Sequence, residues 1–401
     1  MPLNKHIHIA LGYFFIIAFL GVIMRLYPIA DIPAPYRFIV HTHSHVALLG
    51  WVYTAITTLL VYAFLRNEAT LKMYNRIFWV TQVTILGMLF SFPFTGYALF
   101  SILFSTLFLI ASYWFVSFFL KNVPISKKRL PSFKLVRISL WYLILSSIGP
   151  WALGAIMTTL GNSSPWYRNA IYFFLHFQYN GWVIVALVEL FFVLLEDWGL
   201  KFPPSAFKKF FSLLNAGVIL TFFLSVLWME PHAIFYVLAG MGALLQVIAF
   251  GMLFVWVFKN RVTVKENLPG LVYSLLKVCG ALLIIKLGAQ LLGAVPPASK
   301  IISANIDYVI SYIHWVFLGI VSLALLAFLK QFQLIRITKP IYWLYLLGFF
   351  LTEILIFYRG TTSWLGGNTI ENYPEALALS SILLFTAIAL LFLQQFVKRG
   401  S

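Results

Sequence analysis

Apolar residues run in long, nearly unbroken stretches along this chain, and polar residues gather in the short breaks between them. The stretches fall near 6–27, 38–65, 77–95, 97–120, 136–159, 169–195, 207–229, 233–258, 270–293, 302–329, 340–358 and 376–397. Each is close to the ~20 residues that an α-helix needs to cross the hydrocarbon core of a bilayer. Only helices and closed barrels satisfy their backbone groups in that medium. The pattern therefore predicts an all-α, polytopic membrane protein with twelve transmembrane helices, residues 1–401 forming a single transmembrane domain. Pro93 and Pro150 lie within or beside predicted spans, where a missing amide donor kinks a helix. The first stretch, with Lys5 before it, has some features of a signal peptide. Its length, Arg25 and the lack of a small-x-small cleavage site predict a retained helix.

Composition agrees with this pattern. Hydrophobic residues make up 62% of the chain and charged residues 10%, more apolar surface than a soluble core of 401 residues can bury. The formal charge of +17 raises the question of a nucleic-acid partner, and its distribution answers it. Arg66, Lys72 and Arg76 follow predicted helix 2; Lys121, Lys127, Lys128, Arg129, Lys134 and Arg137 follow helix 4. Lys201, Lys208 and Lys209 follow helix 6, Lys259, Arg261 and Lys265 follow helix 8, and Lys330, Arg336 and Lys339 follow helix 10. Lys5, Lys398 and Arg399 place both termini on the same side, while only Arg25, Arg37, Arg168, Lys300 and Arg359 fall on the other. By the positive-inside rule this side is cytoplasmic. The charge thus reports topology and membrane lipid, with no nucleic-acid partner. Cys279 is the one cysteine, which excludes an intrachain disulfide.

The candidate chemistry is in the histidines. Of eight, His41, His43, His45, His176, His232 and His314 fall in four hydrophobic stretches that all meet the outer membrane face. His176 and His314 lie roughly 10–18 Å from the outer ends of their helices on the α-helical rise. His41 and His45 are four residues apart and share a helix face, and His43 points elsewhere. His6 and His8 fall at the cytoplasmic edge and read as interfacial residues. One such histidine is as well explained by a hydrogen bond to a neighbouring carbonyl as by a ligand role. Six in one half of the membrane are less easily explained that way. Neutral imidazole is the usual nitrogen ligand of heme iron and copper, so the set makes a candidate metal or heme site.

The order of these histidines resembles that of the catalytic subunit, subunit I, of the heme–copper oxidase and nitric oxide reductase superfamily, and most closely its C-type branch. That subunit is a twelve-helix bundle whose heme and copper ligands come from helix 2, helix 6, the loop between helices 7 and 8, and helix 10. Arg37, His41, Thr42 and Gly50 are similar to its helix 2 motif, which implies His41 as a low-spin heme ligand. His45 has glycine five residues on, as His314 does, so His45 is the other candidate at this place. His176, with Tyr179 one turn on, stands where the family has its first copper ligand. Pro231-His232-Ala233 stands where the family has Pro-His-His, one copper ligand short. His314 with Gly319 matches the second low-spin heme ligand, and Tyr312 stands where the high-spin heme ligand belongs. The resemblance implies heme b as cofactor, with copper at an incomplete second centre where His43 or His45 would have to complete the ligand set. It also implies a redox partner protein or heme-containing subunit, and a bacterial inner (plasma) membrane. The expected function is electron transfer, or binding or reduction of a diatomic gas (nitric oxide or dioxygen). The competing expectation is a metal-ion or proton-coupled transporter whose outer-side histidines bind cargo. A third is a scaffold subunit that kept only the fold.

Other polar residues within the predicted spans are Glu189, Glu353, Lys277 and Lys286. Glu189 lies thirteen residues beyond His176, roughly 20 Å along the helix. It reads equally as part of a cytoplasmic proton path or as half of a charge pair with Lys277 or Lys286. Glu196 and Asp197 read as solvated, and Glu230 as a carboxylate that orients the imidazole of His232. Gly50, Gly181 and Gly319 each follow a helix histidine by five residues, where a missing side chain admits a macrocycle or a neighbouring helix. The topology has a direct test. A fluorescent protein fused after Lys128 should fold in the cytoplasm, and alkaline phosphatase fused after Asn162 should be active outside it. The reverse pattern would invert the orientation.

Overall fold

The computed structural model describes residues 2–65 and 67–397. Arg66, Lys398 and Arg399, three of the cations used to orient the chain, lie outside the described residues. The protein is all-α. Twelve helices are long and apolar enough to cross a membrane: α1 Leu3–Leu26, α2 Tyr36–Phe64, α3 Glu68–Thr95, α4 Leu99–Asn122, α5 Pro131–Thr159 and α6 Pro165–Asp197, then α7 Pro204–Met229, α8 Ala233–Lys259, α9 Gly270–Gly293, α10 Ile306–Gln331, α11 Lys339–Trp364 and α12 Tyr373–Leu393. They follow the hydropathy pattern closely. The largest difference is at α3, which starts nine residues before the predicted 77, because Asn67 caps it by accepting the Thr70 amide at 2.8 Å.

The chain divides into two compact units, residues 1–124 with 325–401 and residues 125–324. In the first unit α1 lies along α12 and α2, α3 packs on α4, and α11 packs on α12. In the second, α5 packs on α6, α7 on α8, and α9 on both α8 and the middle of α10. Proline acts as expected in α5. Pro150 cannot donate to the carbonyl of Ser146, and the helix breaks at Ser147 into Pro131–Ser146 and Ile148–Thr159. Glu196 is not simply solvated. Its carboxylate accepts both the amide of Ser132 at 2.9 Å and its hydroxyl at 2.6 Å, satisfying an orphan donor at the start of α5.

Three helices, α2, α6 and α10, differ from the other nine. About 89% of the apolar stretch of α2 and of α6 is buried, and 67% of that of α10, against 33–50% in the others. The outer helices present side chains such as Phe90, Phe94, Phe100 and Trp343 outward, a surface that lipid can solvate. The inner three share a backbone feature. Directly after His45, His176 and His314 the helix widens to π geometry, over Val46–Tyr53, Phe177–Val183 and Trp315–Ser322. The wider turn is visible where the Ser322 hydroxyl donates to the Phe317 carbonyl five residues back, at 2.7 Å. π-Segments are rare, and they concentrate at functional sites.

Two glycines of these segments, Gly50 and Gly181, hold a neighbouring helix close. A Cβ on Gly50 would sit 2.8 Å from Cγ of Tyr13 on α1, and one on Gly181 would sit 2.7 Å from Cγ of Tyr142 on α5. Each tyrosine ring fills the place of the absent side chain, so the pairs Gly50–Tyr13 and Gly181–Tyr142 are the same device used once in each unit. The Tyr142 hydroxyl is then anchored on Asn215 Oδ1 at 2.9 Å. Replacing Gly181 by alanine should lower stability by ~1–3 kcal/mol through overpacking. Gly181→Ala combined with Tyr142→Ala should lose less than the sum of the two single variants. Thermal melts in detergent would read this, and strict additivity would mean that the ring does not occupy that space.

Candidate functional site

In the first unit, the head of α2 turns two imidazoles toward α3 and one toward α1. His41 and His45 share one face, as their spacing predicts. The His41 ring meets Tyr97 edge-on with centroids 4.6 Å apart, and the His45 ring lies 4.5 Å from Phe92. His43, on the other side, reaches α1, where its Nδ1 bonds the Ile17 carbonyl at 2.9 Å. Nδ1 of His45 bonds the His41 carbonyl, also at 2.9 Å. A carbonyl can only accept, so in both rings Nδ1 carries the hydrogen and Nε2 keeps its lone pair. That is the tautomer a metal-binding histidine needs, held by the kind of backbone contact that ordinarily orients such ligands. Nε2 of His45 is met by the Tyr97 hydroxyl at 3.3 Å, a long contact for a hydroxyl donor. Tyr97 is itself exposed.

The second unit holds a different arrangement. Its centre is Lys286 of α9, only 1% exposed, whose ammonium donates to Asn180 Oδ1 at 2.7 Å and to Gln290 Oε1 at 2.9 Å. Lysine can only donate, so the Asn180 oxygen faces it and the amide nitrogen faces away. That nitrogen then donates to Nδ1 of His176 at 3.3 Å. Nδ1 is therefore the acceptor nitrogen of the ring, and Nε2–H donates to the Val218 carbonyl at 2.8 Å. The run Lys286, Asn180, His176, Val218 thus admits one direction of hydrogen bonding from end to end. A lysine head group buried inside a membrane span is costly unless protein dipoles solvate it, and here two amide carbonyls accept two of its N–H groups.

The remaining sequence candidates are placed separately. His232 is exposed and caps α8, accepting the Ile234 amide on Nδ1 at 3.4 Å. Glu230 does not orient it. With φ of 50°, Glu230 ends α7 and faces Lys300 at 3.6 Å. His314 is half-buried at the last α-helical residue before the π-segment of α10, whose Trp315 donates to the Leu282 carbonyl of α9 at 3.0 Å. Tyr312 packs edge-to-face on Tyr179, centroids 6.4 Å apart. His41, His43 and His45 belong to the first unit, and His176, His232, Tyr312 and His314 to the second. Among the described residues no group of three His, Cys, Asp or Glu side chains is placed to hold a metal ion.

These positions test the implied cofactors. The tautomers of His43 and His45 suit an iron ligand. In His176 the Nε2–H is used on the Val218 carbonyl and the Nδ1 lone pair on the Asn180 amide, so a copper ion would have to displace Asn180. The expected pairing of Glu189 with a lysine is also absent. Lys277 is exposed and Lys286 is held by amides, while Glu189 is wholly buried with no hydrogen-bond partner among the described residues. Nor is His6 interfacial. It is 1% exposed, stacked on Phe78 at 3.8 Å and bonded through Nε2 to Asn75 at 3.1 Å.

Asn180 and Gln290 were not singled out from the sequence, although a signal existed. Asn180 follows His176 by four residues and Gln290 follows Lys286 by four, so each shares a helix face with its partner inside an apolar run. No protein-family model matches the chain, and no curated protein matches it. Asn180→Leu leaves Lys286 with one acceptor and His176 without its donor. It should destabilise the protein by ~2–4 kcal/mol, more than Gln290→Leu. An unchanged melting midpoint in Asn180→Leu would show that the run is not formed.

Proposed function

We propose that the chain is a heme-binding integral membrane protein in which the His45 imidazole of α2 would hold the heme iron. The observation that carries this reading is the tautomer of His45, held by the His41 carbonyl so that Nε2 carries the lone pair on an aromatic-lined face. The π-segments directly after His45 and His314 support it, since such segments gather where a helix serves a ligand. His45 is favoured over His41 as the α2 ligand, because no comparable contact fixes a tautomer on the His41 ring. In the second unit His314 would be the candidate ligand, by its place in the resemblance to subunit I of the heme–copper oxidases.

Bound heme supplies a one-electron couple and a site for diatomic gases. The chain's own residues orient the imidazole through the His41 carbonyl and line it with Phe92 and Tyr97. The second unit contributes no copper in this reading, because Lys286 and Asn180 already engage the surroundings of His176. The function that follows is electron transfer, or binding of nitric oxide or dioxygen, in a bacterial plasma membrane, with a separate redox protein as partner.

The test is a reduced-minus-oxidised visible spectrum of the detergent-purified protein, with pyridine hemochrome and copper measured on the same sample. Expected are sharp α bands, about one heme per chain and no stoichiometric copper. His45→Ala should lower the heme content and change the spectrum, and His176→Ala should do neither. Heme-free protein from heme-replete cells would sink the proposal and favour the transporter, with the buried amine and amides of the second unit as its cargo or proton site.

A further inference from the structure

A small cavity of about 10 Å³ lies inside the first unit, among α2, α3 and α4. Its wall is unusually polar for the interior of a membrane span. Tyr53 and Thr57 come from α2, Tyr74, Thr81 and Gln82 from α3, and Phe115 closes it from α4. Gln82 is 2% exposed, and its Oε1 has no hydrogen-bond partner among the described residues. A buried carbonyl oxygen in that state calls for a donor that the protein side chains do not supply.

Two threonine hydroxyls of the wall are committed as donors. Thr57 donates to the Tyr53 carbonyl at 2.8 Å, and Thr81 donates to the Ile77 carbonyl at 2.9 Å. Their oxygen lone pairs remain to accept. Gln82 Oε1 also accepts. A molecule seated here can donate to Gln82 Oε1 and to a threonine oxygen, and its size must be that of one solvent molecule. Water meets both conditions: a cavity of ~10–15 Å³ is enough for one, given two to four polar partners.

We propose that this cavity is a binding site for one internal water, which donates to Gln82 Oε1 and to the Thr57 or Thr81 hydroxyl oxygen. The Tyr74 hydroxyl shares a 2.8 Å hydrogen bond with Thr58 on the next turn of α2. The water thus extends a line of exchangeable hydroxyl groups between α2 and α3, ending beside Tyr53, the last residue of the π-segment that follows His45. Exchangeable protons are in this way held within an otherwise apolar interior without any charged side chain. The site does not depend on heme binding.

Water-edited solid-state NMR of the protein in lipid bilayers, with glutamine and threonine labelled, tests this directly. Early polarisation transfer from water to the Gln82 side chain and to Thr57 is expected, several-fold stronger than to the buried Thr352 of α11. Gln82→Leu should abolish the transfer at Thr57. Gln82→Glu, which keeps an acceptor oxygen, should retain it. A dry Gln82 in the unsubstituted protein would overturn the proposal. So would undiminished transfer to Thr57 in Gln82→Leu, which would mean that Gln82 does not hold the water.

Discussion

Inside a bilayer no solvent stands ready to satisfy a polar group, so every donor and acceptor within a span must find its partner in the protein. The rest of this structure depends on that constraint. It makes the backbone helical throughout. It also separates the helices that meet lipid with apolar side chains from α2, α6 and α10, whose apolar stretches are the most buried. His45 bonds its own helix, His43 bonds α1, and Lys286, Asn180 and His176 solvate one another in series.

The same constraint gives the two histidine helices α2 and α6 opposite chemical characters. In α2 the carbonyl contacts at Nδ1 leave an imidazole lone pair directed at an aromatic face. In α6 the Asn180 amide uses that lone pair, and an ammonium stands behind it. Two helices with similar motifs, a histidine followed by glycine at the fifth position and a π-segment, have thus come to different ends. One keeps an imidazole beside aromatic rings. The other encloses a fixed polar cluster. The histidines are dispersed over both units, with His232 exposed as a cap.

Packing follows from small residues as much as from large ones. Gly50 and Gly181 admit tyrosine rings from α1 and α5, and this close approach positions the π-segments. Without a strong hydrophobic force between helices in lipid, such contacts and the interior hydrogen bonds carry much of the specificity.

Length and hydropathy alone determined the class of fold and nearly every helix boundary, because ~20 apolar residues in a row have one stable form in a membrane. Helical spacing likewise placed His41 and His45 on one face and His43 on another. What only the tertiary structure decided was pairing. Nothing in the sequence told that Lys286 would be held by Asn180 and Gln290 and not by Glu189. Nor did it show that Glu196 would cap α5, or that His6 would be buried against Phe78 instead of lying at the interface. Periodicity reports which face a residue occupies along its own helix, whereas a hydrogen bond across helices depends on which helix lies opposite and at what height. That information arises when the helices pack.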